Sequence, residues 1–322
     1  MANGGIIGPP NAVTPASCTP ISENVTQITS TGCFTVQCAP LGGNRPGAVL
    51  VVGGGGSRGG SGGGRPGGGG AGGFRLLSCE TFSSCAIPVV IGAGGSCSSG
   101  TNTVFGNPLN PISATGGGGG NPIPGPANPG GSGGGGGGFS NIVGGSGNAG
   151  GYSPPEGNPG GTGNQSPSTW RGGGGGGASA AGNPNGGSGG AGSPVTSVFG
   201  AAPQPYYLPN TPNTGATACG VFAGGGGGGG CGPGVTVPGG VGGGGNGFLS
   251  NSCGTLGYAG ATNSGGGGGG SYNLPACGGQ GGSGIVLVKE NAVCISIPAK
   301  APGVWNINEV YENVKDGSWT NA

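Results

Sequence analysis

The sequence has no histidine, and among its 322 residues only 8 are Lys or Arg and 7 are Asp or Glu. Without imidazole, the commonest general base and every His-dependent triad are excluded. The acids do not fill the gap. They are scattered, and Glu290, Glu309, Glu312 and Asp316 all lie near the C-terminal end. No CxxC pair accompanies the missing histidine, so a zinc site is not expected. The reading is of a protein without catalysis, cofactor or metal. Cations are equally sparse at a net charge of +1, whereas nucleic-acid binding needs clustered Lys and Arg. Arg45, Arg58, Arg65 and Arg75 form the one concentration, and they read as charges spaced through a glycine-rich loop rather than as an RGG-like segment. Nucleic acid is not an expected partner. Long apolar runs are lacking too: no 18-residue stretch is fit to span a bilayer, and the opening MANGGIIGPPNAV lacks the basic and apolar regions of a secretory signal. Synthesis in a cytoplasm and no membrane insertion are expected, and the sequons at Asn24 and Asn164 then carry no glycosylation meaning.

What is present in excess is glycine, 97 residues, with 29 prolines. Unperiodic Pro and Gly at that level ordinarily signal low complexity or disorder. Disordered chains, however, are usually rich in charge, and here Glu156 and Arg171 are the sole charges between Thr81 and Val288. Such a stretch has no like-charge repulsion to keep it extended, so packing against itself is expected. GxGxxG can be matched repeatedly, but in this composition the match is uninformative, and GxxxxGK[ST] does not occur. The 11 cysteines read as small buried thiols. Disulfides formed after release into an oxidising medium are the alternative, and the odd count leaves at least one unpaired.

Three regions separate by pattern. Residues 1–52 hold strand signals at NVTQI (24–28), CFTVQC (33–38) and AVLVV (48–52), and read as a small β-unit suited to attachment. Residues 53–284 contain the glycine runs, interrupted by connectors of ordinary complexity, the longest being 152–170 and 193–219. Residues 285–322 return to ordinary sequence, with IVLVKE (285–290) and CISI (294–297) expected as a hairpin. A short amphipathic helix follows, with Asn306 as N-cap, Glu309 completing a capping box, Ile307, Val310, Tyr311 and Val314 on one face, and Gly317 as the stop. Trp305, Tyr311 and Trp319 read as its closure or attachment residues.

Ordering glycine costs roughly 0.5–1 kcal/mol more per residue than ordering alanine, and side-chain burial cannot offset that. Backbone bonding between neighbouring segments can. Polyproline-II-like segments have three residues per turn and no internal hydrogen bonds, so all-glycine segments can approach on every side and bond laterally. The expected fold class is therefore mainly irregular and β: a bundle of polyglycine-II helices with a small N-terminal β-unit, a C-terminal β-hairpin and a short helix. Loops on such a scaffold present defined side chains. The connectors hold most of the central aromatics, and aromatics among Ser, Asn and Gly make an adaptable contact surface. Tyr152, Trp170, Phe199, Tyr206 and Tyr207 are the candidate contact residues, with folding back to seal the scaffold as the competing role.

The order of segments resembles glycine-rich virion proteins of tailed phages, particularly those of cyanobacterial and related hosts. The stretches that carry the resemblance are VTQITSTGCFTVQ (25–37), AVLVVGGGG (48–56), GGGGAGGFR (67–75), PVVIGAGGS (88–96), GGSGIVLVKE (281–290) and PGVWNINEVYENVKDGSW (302–319). The central region is also similar to the distal adhesins of T-even-like long tail fibres, whose N-terminal attachment region differs. The resemblance implies a virion location, other virion proteins as partners in an oligomeric assembly, and a bacterial surface receptor met by the connectors. Two alternatives stand beside host adhesion. One is an architectural component, such as a capsid decoration, tail subunit or filament subunit. The other is an ice-binding protein, against which irregular run lengths and bulky connectors argue.

Overall fold

The computed structural model describes residues 6–7, 18–36, 45–58, 65–83, 86–106, 111–120, 126–138, 142–165, 170–250, 257–272, 278–296, 304–305, 311 and 315. In chain order the strands are β1 (Ile6–Ile7), β2 (Cys18–Ile21), β3 (Asn24–Ile28), β4 (Gly32–Phe34), β5 (Arg45–Val52), β6 (Phe74–Phe82), β7 (Ile87–Val90), β8 (Thr103–Phe105) and β9 (Ile112–Ala114). They continue with β10 (Ser193–Pro194), the one-turn helix α1 (Thr196–Phe199), β11 (Val221–Phe222), β12 (Val235–Val237), β13 (Gly247–Leu249), β14 (Ile285–Glu290), β15 (Val293–Ser296) and β16 (Val304–Trp305). Two compact units result. One joins Met1–Glu23 to Ala292–Ala322 and contains the antiparallel pairs β1–β16 and β2–β15. The other is Asn24–Asn291.

Within the larger unit the main sheet has the order β3-β14-β5-β6, and a second has the order β4-β7-β8-β9. Strands β5 and β14 are central, and their apolar runs are continuous rather than alternating, as expected of strands covered on both faces. Val49, Val51, Val286 and Val288 pack with Phe34, Phe82, Val89 and Phe105, the last three contributed by β6, β7 and β8. The rings of Phe34, Phe82 and Phe105 meet at 6.0–6.1 Å, near edge-to-face for two of the three pairs. Leu50, Val52, Ile285 and Leu287 face the other way and are covered by Val195, Phe199, Tyr207, Leu208 and Phe222. At the end of the sheet Arg45 and Glu290, almost wholly buried, form an ion pair at 3.3 Å, and Asn24 Nδ2 donates to the second carboxylate oxygen. A buried pair of this kind needs its remaining lone pairs satisfied to be tolerated.

Glycine segments leave the end of β5 and lead into β6, and these and the other runs are held mainly by backbone bonds, with a few side-chain acceptors such as Asn102 Oδ1 for Gly116 N–H. Gly68, Gly69 and Gly70 donate to the carbonyls of Gly173, Gly268 and Gly118, and Ala71, Gly72 and Gly73 repeat the pattern onto Gly176, Gly265 and Thr115. Carbonyls of the same segment accept from Gly53 and Gly56, from Ser132 and Gly135, and from Gly226 and Gly229. Segment 66–73 thus donates to three neighbours and accepts from three others. Glycine is required by the closeness of approach: a Cβ at Gly69 would sit 2.0 Å from Gly56 O, and one at Gly226 would sit 2.0 Å from Gly268 O.

Several expectations are corrected. The regular structure is not a bundle of polyglycine-II helices with β-structure confined to the two ends. It is antiparallel β throughout, because segments rich in Val, Ile, Leu, Thr and Phe pair wherever they occur, and β6 to β13 all lie inside 53–284. Among the described residues, helix is limited to α1 and to Tyr311 and Lys315. The C-terminal hairpin is also replaced: β14 inserts between β3 and β5, while β15 pairs with β2. The arginines are not spaced loop charges. Arg45 and Arg58 are buried, and Arg65 and Arg75 lie against aromatic rings. Nor are the thiols uniformly buried: Cys33, Cys79 and Cys219 are free and exposed, Cys231 is free and half-buried, and Cys97 is disulfide-bonded.

Candidate functional site

The residues proposed for contact divide into two groups. In connector 193–219, α1 and the turn after it lay Phe199 and Tyr207 onto the main sheet, where both are buried. Tyr206 stacks between them, 6.5 Å from Phe199 and 5.1 Å from Tyr207, and its hydroxyl donates to Phe199 O. The Tyr207 hydroxyl donates to Gly200 O, and burial, with a smaller contribution from Tyr206, pushes its phenol up to about 12. Lys289 of β14 donates to Val198 O, a cation at the last carbonyls of a helical turn. This connector folds back and seals the sheet, so Phe199 and Tyr207 are withdrawn from any contact surface. Exposed residues remain along it, among them Ala201, Ala202, Pro203, Pro205, Pro209 and Asn210.

In connector 152–170, Ser153, Pro154, Pro155 and Pro159 are exposed. Asn148 closes its first turn, accepting from Tyr152 N–H at 3.1 Å and donating to Tyr152 O at 3.0 Å. The buried carboxylate of Glu156 accepts from the N–H groups of Thr115 and Gly150 at 2.9 and 3.0 Å, tying the connector down. The Arg75 guanidinium lies 3.9 Å over the Tyr152 ring and donates to Ser113 O. Trp170, at the other end, receives the Arg65 guanidinium at 4.0 Å, with Tyr272 at 5.4 Å from the same cation. Arg65 Nη2 also donates to Cys231 Sγ at 3.5 Å, and a hydrogen bond with Cys231, aided by burial, raises the Tyr272 phenol. Of the C-terminal trio, Trp305 pairs with Ile6 in β16, Tyr311 is helical and 64% exposed, and Trp319 lies outside the described residues.

The two connectors meet at a cleft of about 310 Å³ lined by Phe74, Arg75, Leu76 and Leu77 of β6, by Ser153, Pro154 and Pro155, and by Ser193. Strand β6 is an edge strand of the main sheet. Sequence reasoning singled out both connectors but not this strand: FRLLSCETF has no clean alternation, because a bulge falls opposite Ala48. Its aromatic and branched residues directly after a glycine run were the available signal. Among the described residues no three metal-ligating side chains group together.

Residues 29–290 match the family model described as Glycine-rich domain. The chain belongs to the glycine-rich domain family. The matched span begins just after β3 and runs to the end of β14, so it includes β14, β5 and β6 of the main sheet, the whole of the second sheet, the glycine runs and the cleft. No curated protein and no solved structure matches the chain.

Proposed function

We propose that this glycine-rich domain protein is a virion surface or tail-fibre protein of a tailed bacteriophage, and that its connectors contact a receptor on the bacterial surface. The observation that carries the reading is where side chains are admitted. Along the runs a Cβ would overlap neighbouring backbone at about 2 Å, whereas the connectors expose side chains such as Ser153, Pro154, Pro155, Pro209 and Asn210. Chemical variety is therefore expelled to the connectors, which a rigid scaffold holds in defined positions. The resemblance of the end motifs to phage virion proteins supplies the setting.

The test is binding of the fluorescently labelled protein to intact cells of candidate hosts. A comparison variant carries Ser153→Lys, Pro155→Lys and Asn210→Lys, all at exposed positions, so that the packed aromatics are untouched. Binding by the parent and its loss in the folded variant supports host contact through these connectors. Absence of binding to every host favours the architectural reading, which draws on the exposed thiol Cys33 on edge strand β4, where a neighbouring subunit would pair.

A further inference from the structure

The cleft beside β6 touches four consecutive strand residues. Successive side chains of a strand point to opposite faces, so a cleft bounded by all four runs along the strand's edge and faces its backbone. The hydrogen-bond pattern says which groups are turned toward it. Phe74 pairs with Val52, yet its N–H donates to Glu156 O at 2.8 Å, away from β5. In an antiparallel ladder bonded and non-bonded pairs alternate. With Phe74 facing outward, Arg75 and Leu77 bond to β5, and the N–H and C=O of Leu76 again point outward, into the cleft. The opposite wall contains Pro154 and Pro155, which have no N–H to offer. Connector 152–156 thus occupies the edge at Phe74 through Glu156 O and stands off it at Leu76.

We propose that this cleft takes one extended polypeptide strand of a partner protein, added to the edge of β6 opposite Leu76 and carrying a carboxylate. Backbone pairing supplies the affinity in this mode of recognition, and pockets for alternate side chains supply the selection. Leu77 and the two prolines accept an apolar side chain. Arg75 is the one charged residue lining the cleft and is held in place by the Tyr152 ring and Ser113 O, so the complementary side chain on the incoming strand is Asp or Glu. The bulge at Ser78–Cys79, opposite Ala48, limits the strand to a few residues and prevents long edge-to-edge pairing between copies. The inference goes beyond host contact, because strand addition here is a property of the protein whichever polypeptide supplies the strand.

The test is a bead-displayed library of seven-residue peptides screened with the labelled full-length protein, followed by fluorescence anisotropy on the enriched sequences. Enrichment of β-branched sequences containing one Asp or Glu is expected. Methylating the backbone nitrogen of the residue that pairs with Leu76 should weaken binding at least about tenfold, as should Leu76→Pro in the protein, which removes an outward N–H without breaking a bond to β5. Changing the peptide carboxylate to its amide should also weaken binding, and added salt should reduce that difference. No enriched sequence, or enriched peptides whose affinity survives methylation at every backbone nitrogen, would overturn the proposal. The peptide-side changes keep the test decisive if Leu76→Pro does not fold. Cell binding is measured separately, so the host-contact reading can fail while strand addition stands.

Discussion

A glycine in this chain is defined by what a methyl group would strike. At Gly226 a Cβ would lie 2.0 Å from Gly268 O and 2.6 Å from Gly268 C, both backbone atoms of a segment itself bonded on other sides. Nothing can rotate out of the way, so the segments must separate and their lateral bonds lengthen. Gly32, exposed on edge strand β4, has nothing within 4 Å. The same substitution should therefore have opposite effects at the two positions. Gly226→Ala should destabilise by at least about 3 kcal/mol, the upper range of overpacking costs. Gly32→Ala should be neutral or stabilising by up to ~1 kcal/mol, because it restricts the unfolded chain without straining the folded one. Urea unfolding midpoints of the two variants decide this, and equal losses would refute an account of the scaffold based on close backbone approach.

At the scale of elements, the central strands were legible and the connectors were not. AVLVV and IVLVKE read as strands from their β-branched runs, and their lack of alternation is explained by cover on both faces. What supplies one of those covers is a connector with no periodicity. Phe199, Tyr207 and Phe222 are spread over a stretch rich in Pro, Asn and Thr, and a one-turn helix at Thr196–Phe199 is too short to leave a pattern. Their burial has a consequence in alkali. The Tyr207 phenol is raised from 10.0 to about 12, chiefly by burial, so the folded protein favours the neutral form. That contribution is complete below pH 10 and is lost as pH climbs from 10 to about 12. Tyr207→Phe should cost about 1 kcal/mol at pH 8 for the lost bond to Gly200 O, yet lose less further stability than the parent between pH 10 and 12. Thermal unfolding at pH 8, 10 and 11.5 measures the difference. Parallel declines in the two proteins would mean that Tyr207 is not sealed by the connector.

At the scale of the whole molecule, a scaffold joined by lateral backbone bonds has to stop somewhere, since its outermost segment is as good a template for another segment as a bare sheet edge is for another strand. Segments 142–149, 157–165 and 182–185 lie side by side: Gly160 and Gly163 donate to Gly145 O and Ile142 O, and Gly182 and Asn185 donate to Pro159 O and Thr162 O. In the first of these, Val143, Ser146 and Ala149 are exposed. In the second, Pro159 and Gln165 are exposed and Thr162 half-buried, while Gly145, Gly161 and Gly163 are buried. Side chains thus recur at every third residue, on the side away from the neighbours, and Val143 is 68% exposed. If close approach demands glycine, a side chain at each outward position forbids the next segment from docking, and the boundary is set by where glycine is withheld. Replacing Val143, Ser146, Pro159 and Thr162 together by glycine should remove that block and produce lateral self-association beyond that of the parent, rising with concentration in sedimentation velocity. The same four positions changed to alanine should leave sedimentation as in the parent, because one Cβ is enough to hold a neighbouring backbone off. Association by the alanine variant as well would point to lost folding stability rather than to an opened edge, and unchanged sedimentation of a folded glycine variant would show that something other than these side chains ends the scaffold.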